Sequence, residues 1–133
     1  MSHTIINPAT LHDPVGFGYS HLASTEGFVF VAGQYASDAD GGVVSPDDFA
    51  RQVERSFENL ETALAAGGVG PRDVVQLRTY VVGLDLDRLG VLTARIERTW
   101  GTRPPTQSLL GVAALALPGM LFEVDAIAVR DRG

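Results

Sequence analysis

Two carboxylates, Glu123 and Asp125, interrupt the apolar run from Leu121 to Val129. A carboxylate set among apolar neighbours has its pKa raised by burial, which suits it to act as a general base or to orient a water molecule. The plain alternative is a structural carboxylate paired with an arginine, and Asp125 fits that alternative better than Glu123. Tyr19 offers a ring and a hydroxyl that could close a cleft, against the simpler role of a half-buried strand aromatic. Gly33, at the end of the run Phe28-Val29-Phe30-Val31, permits a close backbone approach or marks a turn. Gln107 could bind an uncharged carbonyl or amide, or fill a cleft that binds nothing. Arg103, four residues earlier, reads as a solvated loop arginine with the reach to bring a charge nearby. Arg78 lies within a strand and is expected to pair with an acid.

The residues that are missing narrow the chemistry further. There is no cysteine, hence no thiol nucleophile, disulfide or cysteine-ligated zinc. All ten basic residues are arginine, so no side chain can form a Schiff base or anchor pyridoxal phosphate. His3, His12 and His21 recur at a spacing that matches neither helical i, i+4 ligation nor a common zinc pattern, and are expected to be satisfied or surface residues. Asp38-Ala39-Asp40-Gly41 lacks the later glutamate of a calcium loop and reads as a turn. No metal and no cofactor is expected. The net charge of −6 gives a polyanion nothing to neutralise it, so neither nucleic acid nor an anionic membrane is an expected partner. With no membrane-length apolar run and no signal-peptide pattern, the expectation is a soluble cytoplasmic protein.

The elements that must position these groups follow from periodicity. The 133 residues make one domain, 1–133. A hairpin is expected to join 17–24 to 28–34 across Glu26-Gly27. Ser45 reads as the N-cap of a first helix, with Pro46 at its first position and Asp48 near its positive end. Phe49, Val53, Phe57, Leu60 and Leu64 form one stripe, and Gly67-Gly68 ends the helix. Val74 to Val82 reads as a strand, and a second helix runs from about Asp85 to Trp100 with Leu89, Leu92, Ile96 and Trp100 on one face. Pro104-Pro105 precedes a third apolar run, Ser108 to Leu117, and Leu121 to Val129 is the last strand. The order β-β-α-β-α-β-β predicts an α+β fold, a mixed sheet with two helices on one face. In the last strand Phe122, Val124, Ala126 and Ala128 face the helices. Leu121, Glu123, Asp125, Ile127 and Val129 face the other way, on a surface too apolar for open water, so a homo-oligomer that covers it is expected.

These residues together resemble the reactive intermediate deaminase family, the RidA or YjgF-like proteins also labelled endoribonuclease L-PSP. The resemblance spans nearly the whole chain. It rests on Gly18-Tyr19, on Phe30-Val31-Ala32-Gly33-Gln34, on Gln52 with Glu58-Asn59-Leu60 to Ala66-Gly67-Gly68, on Asp73-Val74-Val75-Gln76, and on Glu123-Val124-Asp125-Ala126-Ile127-Ala128. It implies a chorismate-mutase-like protomer assembled as a homotrimer around a central barrel, with small-molecule clefts between neighbouring subunits. In deaminating members an arginine of a Pro-Ala-Arg-Ser motif grips the substrate carboxylate, and a glutamate on the last strand helps water attack an imine carbon and release ammonia.

Carried over residue by residue, the resemblance makes Glu123 the catalytic glutamate, with Tyr19 and Gly33 lining the cleft. Pro105-Thr106-Gln107-Ser108 occupies the Pro-Ala-Arg-Ser position, which puts Gln107 where the arginine stands. Ala32 replaces a serine, Leu109 a cysteine or valine, and Thr93 falls where an asparagine often lies. An amide lacks both the charge and the two-donor fork of a guanidinium. Losing a charge-assisted pair in a partly buried cleft costs about 2–5 kcal/mol, which disfavours small imino acids as substrates. The expected activity is hydrolysis (deamination) of a reactive imine, enamine or related small molecule, with a range altered by Gln107. A non-catalytic binding or regulatory protein is the alternative. Both require neighbouring protomers to enclose a pocket in which Glu123 meets Gln107. Finding the two on opposite sides of the sheet, or far apart with no cavity joining them, would overturn that requirement and the functional case that rests on it.

Overall fold

The structure, a computed structural model, describes residues 2–130. The expected domain thus extends, at residue 1 and at 131–133, outside the described residues. Six strands form one sheet: β1 (Thr4–Ile6), β2 (Leu22–Ser24), β3 (Phe28–Gln34), β4 (Val74–Val82), β5 (Thr106–Val112) and β6 (Phe122–Val129). Two helices, α1 (Phe49–Ala66) and α2 (Leu86–Trp100), pack against it. The strand order is β1-β2-β3-β6-β4-β5, antiparallel throughout except for the parallel pair β4–β5, which α2 connects. The fold class is α+β with a mixed sheet, as the periodicities predict, and β1 adds an edge strand that the expected order leaves out.

The α1 stripe forms the middle of the core. Val53, Phe57, Leu60 and Leu64 are each at most 1 % exposed, so the helix buries the whole face that its apolar spacing defines. Phe57 stacks on Phe122 of β6 at 5.8 Å, and Phe49 meets the same ring edge-on at 6.0 Å. Along β6, Phe122, Val124, Ala126 and Ala128 are buried under the helices while Val129 on the other face is exposed, which is the expected alternation. That other face carries an apolar strip: exposed Phe28 and Phe30 lie opposite Val129 and Ile127.

Three boundaries differ from expectation. The N-cap of α1 is Asp48, whose carboxylate accepts the Arg51 N–H at 3.1 Å, and not Ser45. Ser45 adopts a left-handed φ of 51°, and its carbonyl accepts the Asp48 N–H, so Pro46 and Asp47 form a turn ahead of the helix. The first hairpin strand is short because residues 15–17 form a 3-10 turn that ends at Gly18 in the left-handed region, leaving β2 only Leu22–Ser24. β5 likewise stops at Val112, and 113–121 form a loop.

That loop is tied to α1 by one side chain. The fully buried Gln52 donates its amide nitrogen to the carbonyls of Ser45 and Gly119, at 3.0 and 2.8 Å, and its amide oxygen accepts the Leu121 N–H at 2.8 Å. A buried amide with both ends partnered avoids the penalty of an unsatisfied polar group.

Candidate functional site

The β3–β6 ladder breaks where the site begins. Val31 pairs with Ala126, but the next pair is Gln34 with Val124, so Ala32 and Gly33 together face a single residue of β6. A bulge of this kind bends the strand and redirects side chains. Its effect here is to lay Gly33 directly over Glu123. A Cβ on residue 33 would lie 2.2 Å from Glu123 Oε2 and 2.6 Å from its Cδ, so glycine leaves room for the carboxylate where it now lies. Space is what requires glycine here, since Gly33 is not among the glycines of positive φ.

Beside this pair lies a cavity of about 410 Å3. Phe17 and Tyr19 form one wall, Ala32, Gly33 and Tyr35 another, Ala116, Leu117 and Met120 of the β5–β6 loop the roof, and Glu123 reaches the interior. Burial pushes the Glu123 carboxyl above the usual carboxylate range, and the negative charge of Asp125 adds to it. Burial also holds the Tyr19 and Tyr35 phenols protonated well above their ordinary range. The cavity therefore offers one carboxylate with a strengthened hold on protons and two phenols that keep their own, among apolar walls.

A polar cluster that periodicity does not reveal supports the Tyr19 wall. His12 and His21 are buried, with ring centroids 4.8 Å apart. His12 Nε2 meets the Tyr19 hydroxyl at 2.5 Å and its Nδ1 meets Ser37 Oγ at 3.2 Å. His21 Nε2 donates to the His12 carbonyl at 2.8 Å, and Gln34 Nε2 donates to His21 Nδ1 at 3.1 Å. All four ring nitrogens are engaged, so both histidines are satisfied interior residues. Tyr35 donates its hydroxyl to the Gly41 carbonyl at 2.5 Å, and Asp38 closes the adjoining turn by accepting the N–H groups of Asp40 and Gly42. The available sequence signal is on α1: Gln52, Ser56 and Asn59 are polar residues at buried helical spacing beside the apolar stripe.

The residues expected to meet are only partly brought together. Tyr19, Gly33 and Glu123 share the cavity; Gln107 and Thr93 do not. Gln107 pairs with Leu77 on β4 and accepts a hydrogen bond from Thr79 Oγ1 at 2.8 Å, which puts it on the helix side at the sheet edge. Glu123 pairs with Tyr80, three residues from Leu77 and hence on the opposite face. Within one protomer the acid and the amide are therefore on opposite sides of the sheet, and a single chain does not form the expected pair. Only Gln107 of another copy could approach this cavity. Thr93 is exposed on α2 and donates to the Gly90 carbonyl. Its position there follows from the apolar face of α2, which buries Leu92 and Ile96 and turns residue 93 outward.

The two arginines considered as replacement cations lie elsewhere. Arg78 pairs with Asp125 at 3.0 Å on the outer face, where Tyr80 also donates to Asp125 and burial with that bond pushes its phenol up to about 12. Arg103 lines a separate, larger groove of about 850 Å3 with Arg72, Trp100 and Pro104-Pro105. That groove holds no acid–base pair, and the smaller cavity is the better candidate on chemistry. Among the described residues no arginine lines the Glu123 cavity, and no three histidine or carboxylate groups converge as a metal cradle.

With this geometry in hand, comparison with known proteins is specific. The family model described as Endoribonuclease L-PSP matches residues 11–130. The RutC family protein YjgH of Escherichia coli is 29 % identical over 130 residues, covering 96 % of this chain and 95 % of that protein. A RutC family protein of Pyrococcus abyssi is 28 % identical over 131 residues, 98 % of this chain and all of its own. Among solved structures, YyfB of Yersinia pestis, described as a protein of unknown function of the conserved Rid family, is 38 % identical with a TM-score of 0.73 and coverage of 98 % and 100 %. The structure of protein YjgH superposes with a TM-score of 0.85 at 27 % identity, covering 97 % of each chain. The six-stranded mixed sheet, its two helices and the glutamate-bearing last strand thus belong to a chain of the RidA/YjgF family, whose family model is Endoribonuclease L-PSP.

Proposed function

We propose that this protein hydrolyses a reactive imine or enamine, with water as nucleophile, in the cavity beside Glu123. The observation that carries the reading is the Glu123 carboxylate, raised by burial and held in an apolar cavity by the missing Cβ of Gly33. Glu123 accepts a proton from water as the oxygen bonds to the imine carbon. The carbinolamine so formed collapses to a carbonyl as its C–N bond breaks, and protonation of the departing nitrogen gives ammonia. One imine and one water yield one carbonyl compound and one ammonia. The electrophile brings its own reactivity, so a single acid–base group suffices.

Substrate range follows from charge. Among the described residues no cation lines the cavity, so it suits neutral or weakly polar imines better than imino acids. Gln107 takes part through assembly: a homotrimer that covers the Phe28 and Phe30 strip would bring the sheet edge of one copy towards the cavity of the next. Light scattering that finds a monomer at working concentration removes this part of the proposal.

A second reading, small-molecule binding without turnover, is favoured by one observation. Gln107 supplies an uncharged amide, its oxygen already accepting from Thr79, where the family's deaminating members have a charged guanidinium. RNA cleavage, suggested by the name of the family model, has little support, because the ring nitrogens of His12 and His21 are all engaged within the protein. The deciding experiment measures ammonia release from a panel of neutral and acidic imines by the wild type and by Glu123→Gln. Acceleration of at least one neutral imine that Glu123→Gln abolishes is expected. No acceleration of any imine leaves the binding reading in its place.

A further inference from the structure

We propose that His12 fixes the direction of the Tyr19 hydroxyl, so that Tyr19 presents its proton to the cavity and there holds an acceptor atom of the ligand. This deepens the reading above and rests on it for the identity of the cavity. Tyr19 is the group that touches the ligand; His12 is a positioning residue.

A chain of donors and acceptors runs from Asn59 to Tyr19. The Asn59 amide nitrogen donates to the Tyr35 carbonyl at 2.9 Å, which fixes the orientation of the amide, and to Ser37 Oγ at 3.1 Å. Ser37 is 3 % exposed, so its own proton needs a protein acceptor. Among the described residues its remaining side-chain partner is His12 Nδ1 at 3.2 Å. A neutral imidazole that accepts at Nδ1 carries its proton on Nε2. That nitrogen faces the Tyr19 oxygen at 2.5 Å, so Tyr19 accepts from His12 and its own proton points away from the ring. The direction left to it is the cavity, whose other polar side chains are Tyr35, which already donates to Gly41, and Glu123.

The arrangement is braced from behind. His21 donates from Nε2 to the His12 carbonyl and accepts from Gln34 at Nδ1, while Gln34 gives its second amide proton to the Ala32 carbonyl at 3.2 Å. Gln34 and Ala32 flank Gly33, so the bulge that seats Glu123 also anchors the cluster that orients Tyr19. Burial and the neighbouring His21 lower the proton affinity of His12, against the opposing charges of Asp38 and Asp13, which keeps the ring neutral. The ligand is therefore gripped by a donor on one wall and faces a base on another, the pattern for a carbonyl oxygen or imine nitrogen beside an electrophilic carbon.

The test has two readouts that need no turnover. Nitrogen–proton correlation spectra of the intact protein, with His12 assigned by its loss in His12→Gln, are expected to find the His12 proton on Nε2; a proton on Nδ1 overturns the proposal. Fluorine NMR titration then compares 4-fluoroacetophenone, which carries an acceptor and no donor, with 4-fluoroethylbenzene, which carries neither. The wild type is expected to prefer the ketone about five- to tenfold, the worth of one hydrogen bond. Tyr19→Phe and His12→Leu are expected to erase the preference, and His12→Gln, whose amide still donates, to restore most of it. A preference that survives Tyr19→Phe or His12→Leu, or a ketone that does not bind, refutes the assignment. A protein that hydrolyses no imine but keeps the preference upholds it, and one that hydrolyses imines with the opposite His12 tautomer refutes it alone.

Discussion

The central β3–β6 ladder and the β4–β5 ladder at the sheet edge differ in one respect that decides where chemistry can occur. Between β4 and β5 seven consecutive residues pair without a break from Gln76–Thr106 to Val82–Val112, and Thr79 there donates to the Gln107 amide oxygen. Between β3 and β6 the register slips at Ala32-Gly33, and the space so made holds the Glu123 carboxyl with its proton affinity raised. Among the described residues the regular ladder encloses no cavity of its own. The irregular one leaves a carboxylate and a phenol facing a cavity, which is the condition for acting on something else.

The sharpest way to break this comparison is to remove the acid. Glu123→Gln is expected to lower imine hydrolysis at least about a hundredfold, the usual contribution of a general base. Single-turnover ammonia release measures it, and an unchanged rate would make the bulged ladder as inert as the regular one. Next in size is a change on the regular side. If Gln107 of one copy reaches the cavity of another, Gln107→Arg should tighten binding of a carboxylate-bearing imine analogue about thirtyfold, by supplying a charge-assisted pair. Calorimetric titration reads this, and equal affinities for both proteins would confine Gln107 to its strand.

Filling the bulge sharpens the same contrast. Gly33→Ala puts a methyl group where Glu123 Oε2 lies, so the carboxylate must move. The carboxyl ends a flexible side chain, so it swings aside with little change in thermal unfolding, and the loss is expected in turnover. Gly111→Ala on β5, where an added Cβ meets Leu84 at 3.3 Å, should leave turnover unchanged.

The smallest effect is on stability against pH. The folded-state pKa of Glu123 is raised, chiefly by burial, so its contribution to stability is complete below the unfolded pKa and is lost as pH rises through the folded one. At neutral pH the ionised group opposes folding, and Glu123→Gln should melt about 2–4 °C higher than the wild type there. The gain should vanish at about pH 4, where the carboxyl is protonated in both states. A variant that melts lower at neutral pH would mean that Glu123 stabilises the fold, as an ordinary ion-paired carboxylate does.

Local periodicity carries most of the fold and little of the site. The α1 stripe, the alternation along β6 and the Asp85 start of α2 are short-range patterns and appear as read. The α1 cap was legible to within a turn: Ser45 and Asp48 are both good capping residues, and the left-handed Ser45 backbone decides between them. Glu123, Tyr19 and Gly33 were legible as residues because each departs from its surroundings. Their neighbours were not. The His12–Ser37–Asn59 chain joins residues 25 and 22 positions apart through a packing arrangement that no spacing rule encodes. Gln107 was legible only in part: its place in the motif fixes its strand, whereas the face it occupies is set by a register with Leu77 that only the folded sheet defines.

The ceiling over Glu123 is hung from a helix instead of being built into the sheet. Met120 is held by the two bonds that Gln52 makes on either side of it, to Gly119 and Leu121, while the third ties the same amide to Ser45, and Gln52 itself lies outside the chamber. Residues 113–117 are thus free to change in size and polarity while that one amide keeps the far end of the loop moored. A protein built this way can alter what it accommodates by editing a short span, with the acid, the phenol and the helix stripe left as they are.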